Sequence, residues 1–447
     1  IKELSEEVVI QEVPAYSSKP ASGGMTTKVV KGSMWVLIGQ LFPMVATFVA
    51  SPFVIRYLGS ESYGVLILIS VISGYFSFAD FGMGLASTRM GSEAFAQGLK
   101  EKEGLVVRTA ALIALCSSLI IAIPLFFFSD YIVSTLLKVP DHLHSQAAVA
   151  LKITSVAFVF TIQGTVFNTP ELSRMRMDLN IKIFAGTKVL MTLTTPVVLY
   201  MGGGIVDATI VAFGASVVIF TLHVVVSGRL LPELFHKSVS KELSRALLKF
   251  GGHIVMYSVG LILLNNLEKF VLTRLISVKS LAYYSVASTF ANMTTLFSMA
   301  MVQTLIPAFS QLLSPDKKKQ LSELFRRCVR IGIMGLIPSI MTLFIVGRPF
   351  FTIWAGKEFG AESVFPFYIL LVGVFFSILV YVPNTILLAS GKSIFFARFY
   401  LMELIPYAIF TLMLVKSMGI IGAAIAWSSR EIFNAFVFIR FTRKYTG

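Results

Sequence analysis

"SYGVLILISVISGYFSFADFGMGLASTRM", residues 62–90, opens on eighteen residues without a charge and then carries Asp80 and Arg89. Apolar residues dominate it without the strict alternation of a half-buried strand, and it is long enough to cross ~30 Å of hydrocarbon as a helix. Runs of this kind recur twelve times, from 33–56 and 62–89 through 394–415 to 419–440. The 447-residue chain is 56% hydrophobic and only 14% charged, too few charges to clothe a soluble protein of this length. The sequence therefore predicts an all-α polytopic membrane protein of about twelve transmembrane helices, with no room for a large soluble domain. The lipid bilayer is its solvent.

The net charge of +15 raises nucleic acid as a partner, but the basic residues are scattered through short loops, and no nucleic-acid contact is expected. They report topology instead. With twelve spans, 27 of the 38 Lys and Arg fall on the side of the N-terminus and 8 on the other, leaving Lys152, Lys188 and Arg430 inside spans. Both termini are thus expected in the cytoplasm. Residues 1–31 are acidic, then rich in Pro, Ser and Gly, and read as a mobile tail. Residues 1–24 read as an extension ahead of a start at Met25.

Shifted by 218 residues, the chain matches itself in character. Arg56 falls on Arg274, and "LKEKEGLVVR" (99–108) on "DKKKQLSELFR" (316–326). Later the offset drops slightly, aligning "VFNTPEL" (166–172) with "VPNTILL" (382–388) and "GIVDATI" (204–210) with "GIIGAAI" (419–425). Two six-helix lobes follow, at 32–230 and 250–447, joined by a cytoplasmic linker at 231–249. Six spans return the chain to its starting side, so the repeats are parallel, and such duplications place a central cavity between them.

At about 100° per residue, Gln40, Thr47 and Ser51 share one face of the first span. Their repeat partners Ser258, Asn265 and Lys269 share one face of the seventh. On an unbroken second span Ser77 and Asp80 join a polar arc, with Ser298 in its counterpart in the eighth. Small and hydroxylated residues also serve ordinary helix contacts in lipid, which explains the serines well but Asp80 and Lys269 poorly. Nine residues are two and a half turns, so Asp80 and Arg89 face opposite ways and cannot pair. Arg89 snorkels to the headgroups.

Ionisable groups at bilayer depth are costly unless hydrated or paired, and so mark function. Lys152, on one face with Ser155 and Gln163, and Lys269 are the leading cationic candidates. Arg56 and Arg274 lie near the outer exit, where anchoring at the interface competes. Arg398 and Arg430 stand near Glu403 and Glu431, where structural ion pairs compete. Asp80, Glu268 and Glu403 are candidates for binding H⁺ or Na⁺. No cofactor or metal is expected: the histidines lack ligand spacing, Cys116 and Cys328 read as packing residues, and no Walker A sequence is present.

The stretch "RYLGSESYGVLILISVISGYFSFADFGMGLASTRM" (56–90) resembles the opening of bacterial polysaccharide flippases, the Wzx-type branch of the multidrug/oligosaccharidyl-lipid/polysaccharide exporter superfamily. The matching features are the Leu-Gly…Tyr-Gly turn and the Asp-Phe-Gly-Met-Gly segment ending in Arg. With twelve expected spans rather than the additional C-terminal pair of the lipid II flippases, lipid II is the less expected substrate. The resemblance implies a non-enzymatic transporter in the bacterial inner membrane. It would carry a polyprenyl-diphosphate-linked oligosaccharide between leaflets by alternating access through a cationic cavity, for delivery to a polysaccharide polymerase. An ion-coupled drug exporter of the same superfamily should instead show an anionic or aromatic cavity. A glycan polymerase or ligase would need a large periplasmic loop, and the longest outer loop here, about 130–145, is short.

Overall fold

The computed structural model describes residues 23–236, 239–295, 318–389 and 393–446, and among these the secondary structure is helical. The main helices are α1 (Gly23–Tyr75), α2 (Met83–Ala96), α3 (Lys100–Phe127), α4 (His144–Phe167), α5 (Met177–Tyr200) and α6 (Ile205–Leu230). The second half contains α7 (Lys241–Leu275), α8 (Val278–Met293), α9 (Lys318–Trp354), α10 (Val364–Ala389) and α11 (Ser393–Thr446). Among the described residues, seven helical stretches are long and apolar enough to cross a membrane, and two of them, Met34–Ala96 and Arg398–Thr442, are long enough to cross twice. Each of those two breaks at a glycine with positive φ, Gly59 at 76° and Gly419 at 58°, where an L side chain would strain the backbone. This is a multi-pass membrane protein.

The breaks repeat. Gly59 lies 218 residues before Ser277, the turn between α7 and α8, and Gly204, before α6, lies 215 residues before Gly419. Helix starts are specified locally. Ser277 Oγ accepts from Ser280 N at 3.0 Å to open α8, Ser240 does the same for α7, and Asp207 accepts from Gly204 N at 2.8 Å to open α6.

One expectation needs correction. The second span is not one continuous helix: α1 stops at Tyr75, a single 3₁₀ turn covers Ser77–Asp80, and Phe81 and Gly82 are left-handed before α2 begins. Asp80 drives the break. Its carboxylate accepts from the backbone N–H of Gly82 at 2.8 Å and of Gly84 at 3.4 Å, capping α2. The polar arc drawn on a regular helix is therefore interrupted at Asp80.

Within the N-terminal lobe, small buried residues let helices approach closely, as they must where lipid gives no hydrophobic drive between them. Ala79, Ala86, Ala110 and Ala114 are fully buried, and Ser117 Oγ donates to the Ala79 carbonyl at 2.5 Å. Gln163, buried on α4, donates to the Ala111 carbonyl at 3.2 Å and so ties α4 to α3. The C-terminal lobe packs around Tyr284, Phe351, Phe359 and Phe367, all fully buried. Between the lobes, a Cβ on Gly64 would stand 2.2 Å from the Val278 carbonyl oxygen, and one on Gly251 2.1 Å from that of Phe81. Backbone meets backbone at both ends of this seam.

Candidate functional site: a cationic cavity between the lobes

A cavity of about 930 Å³ lies where the lobes meet. α1 contributes Gln40, Thr47, Ser51 and Ser70, and α5 contributes Lys188; from the other lobe come Asn266 and Lys269 on α7 and Ser288, Thr289 and Asn292 on α8. The described lining contains two lysines, one from each lobe, and no Asp or Glu. Lys269 Nζ donates to Asn266 Oδ1 at 3.2 Å, and Lys188 Nζ stands 5.5 Å from the Phe184 ring centre. The serines and threonines bond mainly to their own helix, Thr47 to the Pro43 carbonyl at 2.8 Å and Ser51 to that of Thr47 at 2.7 Å. Thr47 keeps its acceptor lone pairs for a ligand, whereas Ser288 Oγ already accepts from Asn292 Nδ2 at 3.3 Å.

Toward the face where α1 turns at Gly59, aromatic rings bridge the seam. Phe48 of α1 lies 5.6, 6.0 and 5.8 Å from Phe290, Phe350 and Trp354, and Phe290 packs edge-on to Trp354 at 4.7 Å. Beyond them a second cleft of about 570 Å³ is lined by Arg56, Ser60, Trp354 and Lys357. Ser51 belongs to the inner cavity and Pro52 to the outer cleft, so the ring cluster sits at the boundary between the two.

The structure brings together Gln40, Thr47, Ser51 and Lys269, and places the other candidates elsewhere. Lys152 does not line the cavity. Its ammonium lies 3.0 Å from Asp130 beyond the end of α3, and its side chain is one-third exposed. That carboxyl is held below the ordinary range by the hydrogen bond from Lys152. Gln163 is committed to α3, and Ser77 and Ser258 do not line the cavity either. Arg56 is exposed in the outer cleft, Arg274 is half-buried at the end of α7, and Arg398 is exposed. Ser298 lies outside the described residues.

Arg430, Glu268 and Glu403 form a buried cluster behind the cavity, inside the C-terminal lobe. Arg430 donates to the Leu264 carbonyl at 2.7 Å and to Asn265 Oδ1 at 3.1 Å, lies 3.1 Å from Glu431 and reaches to 3.9 Å of Glu403. Tyr407 donates to Glu268 at 3.2 Å and places its ring under the guanidinium. Both Glu403 oxygens are buried without a hydrogen-bond partner. Three carboxylates thus surround one guanidinium, so the cluster carries excess negative charge unless it holds a proton or a small cation. Among the described residues no group of His, Cys, Asp or Glu is arranged to hold a metal.

Sequence reasoning left Lys188 inside a span without assigning it to the cavity. Its signal was present: a lysine far from either end of a 24-residue apolar helix has no short path to water. Asn266 was passed over because only its neighbour Asn265 fell on the repeated stripe.

Comparison with known proteins places this architecture. The chain is 23% identical to a putative O-antigen transporter of Shigella flexneri over 91% of its own length and 96% of that protein's. It is 23% identical to a probable low-salt glycan biosynthesis flippase of Haloferax volcanii, over 89% and 79% of the two chains. The inward-facing structure of a multidrug resistance transporter of the MATE family, MOP superfamily, superimposes with a TM-score of 0.75 at 13% identity, covering 90% of this chain and 94% of that one. That likeness establishes a shared fold. Residues 29–313 match the family model for polysaccharide biosynthesis proteins, and this chain is a member of that family.

Proposed function

We propose that this protein flips a polyprenyl-diphosphate-linked oligosaccharide from the cytoplasmic to the periplasmic leaflet of a bacterial inner membrane, both termini being cytoplasmic. It does so as a transporter rather than an enzyme, by rocking its two lobes about the cavity they share. One observation carries the reading: Lys188 and Lys269 face a single polar cavity from opposite lobes, with no acidic residue in the described lining. A lysine about 4 Å from a phosphate charge gains roughly 4 kcal/mol at an effective dielectric near 20, which offsets dehydration of the diphosphate. Placing one cation on each lobe keeps the headgroup attracted to both sides of the seam as it opens. The transporter and flippase relatives support the same reading. A drug exporter would be expected to show an anionic or aromatic cavity for cationic drugs, and the two lysines of the described lining favour the opposite charge.

For energy coupling we assign H⁺ or Na⁺ to the buried cluster of Glu268 and Glu403 beside Arg430, where carboxylates outnumber the cation. The flipped glycan would then be delivered to a polysaccharide polymerase. In vesicles holding the purified protein, Lys188→Ala and Lys269→Ala should each weaken binding of the lipid-linked oligosaccharide about tenfold, equivalent to about 1.4 kcal/mol. The double variant should abolish appearance of glycan on the opposite leaflet. Binding and flipping unchanged in the double variant would overturn the assignment.

A further inference from the structure

A second chamber, of about 530 Å³, lies wholly inside the N-terminal lobe between α4, α5 and α6. It adjoins the central cavity, because Phe184 and Lys188 line both. Its chemistry differs from that of the cavity. Its one lysine stands at the shared wall, and the rest of its described polar lining consists of amides, hydroxyls and a histidine already engaged: His223 Nδ1 lies 2.9 Å from the fully buried Glu171. Two of the amides are incomplete. Asn168 Oδ1, an acceptor, and Asn180 Nδ2, a donor, are both buried without a hydrogen-bond partner. Buried amide groups are almost always satisfied, so this pair points to something that fills the chamber and offers both a donor and an acceptor.

The hydroxyls refine that description. Thr161 donates to the Ala157 carbonyl at 3.0 Å, Thr165 to that of Ile162 at 2.7 Å and Thr195 to that of Met191 at 3.0 Å. With their protons committed to the helices, these groups present acceptors to a ligand rich in O–H donors. Phe184, Met191 and Ile219 supply apolar surface among them. Acceptors, a few donors, an aromatic face and a described lining with no Asp, Glu, Arg or second Lys match an uncharged sugar, whose hydroxyls ring an apolar face. The volume lies within the range of small-molecule sites, about 300–1,000 Å³.

We infer that this chamber is the glycan subsite: it takes the uncharged sugars of the oligosaccharide while Lys188, at its mouth, faces the diphosphate in the central cavity. The inference rests on the flippase reading and names the part of the protein that inspects the sugar. It makes Asn168 and Asn180 specificity-determining residues.

The test uses two probes on the purified full chain, geranylgeranyl diphosphate and the same lipid carrying a neutral di-N-acetylhexosaminide. The wild type should bind the glycosylated probe more tightly than the bare one. Asn180→Leu and Asn168→Leu should each weaken the glycosylated probe about fivefold, the loss of a hydrogen bond or two, and leave the bare diphosphate unchanged. Ala215→Phe fills the chamber without removing a polar group and should produce the same selective loss, with thermal unfolding confirming that each variant is folded. Equal weakening of both probes, or of neither, overturns the subsite while leaving the flippase reading in place. A wild type that binds neither probe overturns both.

Discussion

Trp354 Nε1 donates to the Phe48 carbonyl at 3.2 Å, joining a helix of one lobe to a helix of the other at the boundary between the central cavity and the outer cleft. The bond is reinforced by ring contacts on both sides, and any widening of the seam at that face must break all of them together. A cluster of this kind behaves as a two-state latch, because close-packed aromatic surfaces separate abruptly and then admit water.

Trp354→Ala should therefore open the cavity to the outside. In a background with Cys116→Ser and Cys328→Ser, a cysteine placed at Thr47 should react with a membrane-impermeant thiol reagent several-fold faster when Trp354 is also alanine. Equal rates in the two backgrounds would show that the rings do not form the barrier.

Lys152 and Asp130 should behave as a surface pair. Lys152→Met is expected to leave binding of the lipid-linked oligosaccharide unchanged, since the side chain does not line the cavity. The pair lowers the Asp130 carboxyl, so its contribution to stability is present above the ordinary aspartate value, about 3.9, and is lost as pH falls through the lower folded value. Wild type should thus lose more stability than Lys152→Met on acidification across that window, by a small margin because Asp130 is exposed and Lys152 is one-third exposed. A strong binding defect in Lys152→Met would return this lysine to the transport path.

Asp80 is a helix cap, and its variants should separate by hydrogen-bonding capacity rather than charge. Asp80→Asn keeps an acceptor for Gly82 and should melt close to wild type, whereas Asp80→Ala should cost about 1 kcal/mol. Flipping by Asp80→Asn should retain the wild-type dependence on pH and Na⁺. A changed ion dependence in that variant would give the carboxylate a coupling role in addition to its cap.

The pair of Arg174 and Glu103 holds the N-terminal lobe together near the ends of α3, α4 and α6. It is bidentate, at 2.6 and 3.2 Å, with Glu103 fully buried and Arg174 also donating to the Leu230 carbonyl at 3.2 Å. Arg174→Ala strands a buried carboxylate and should cost about 3–5 kcal/mol, while the double variant with Glu103→Leu should recover part of that loss. Thermal unfolding in detergent measures both, and additive losses would rule out the coupling.

What the chain could specify alone is visible in its spans and its duplication. Hydrocarbon thickness makes span length and apolarity local properties, so an all-helical multi-pass protein follows from residue order; the helix break at Gly59 falls between two expected spans, and that at Gly419 falls on the first residue of the last one. Helical periodicity likewise grouped Gln40, Thr47 and Ser51 on one face, and that face borders the cavity. Periodicity cannot say which neighbour a face meets. Lys152 and Lys188 are both single lysines in apolar helices, yet one reaches Asp130 near the surface and the other stands between two cavities, because only the packing of α4, α5 and α6 decides what each faces. Asp80 misled the reading for a second reason: a regular helix was assumed where its carboxylate caps the next one. The gathering of Glu268, Glu403 and Arg430 from α7 and the two halves of α11 needed the tertiary structure, since charge pairing across helices depends on distances that no spacing along the chain contains.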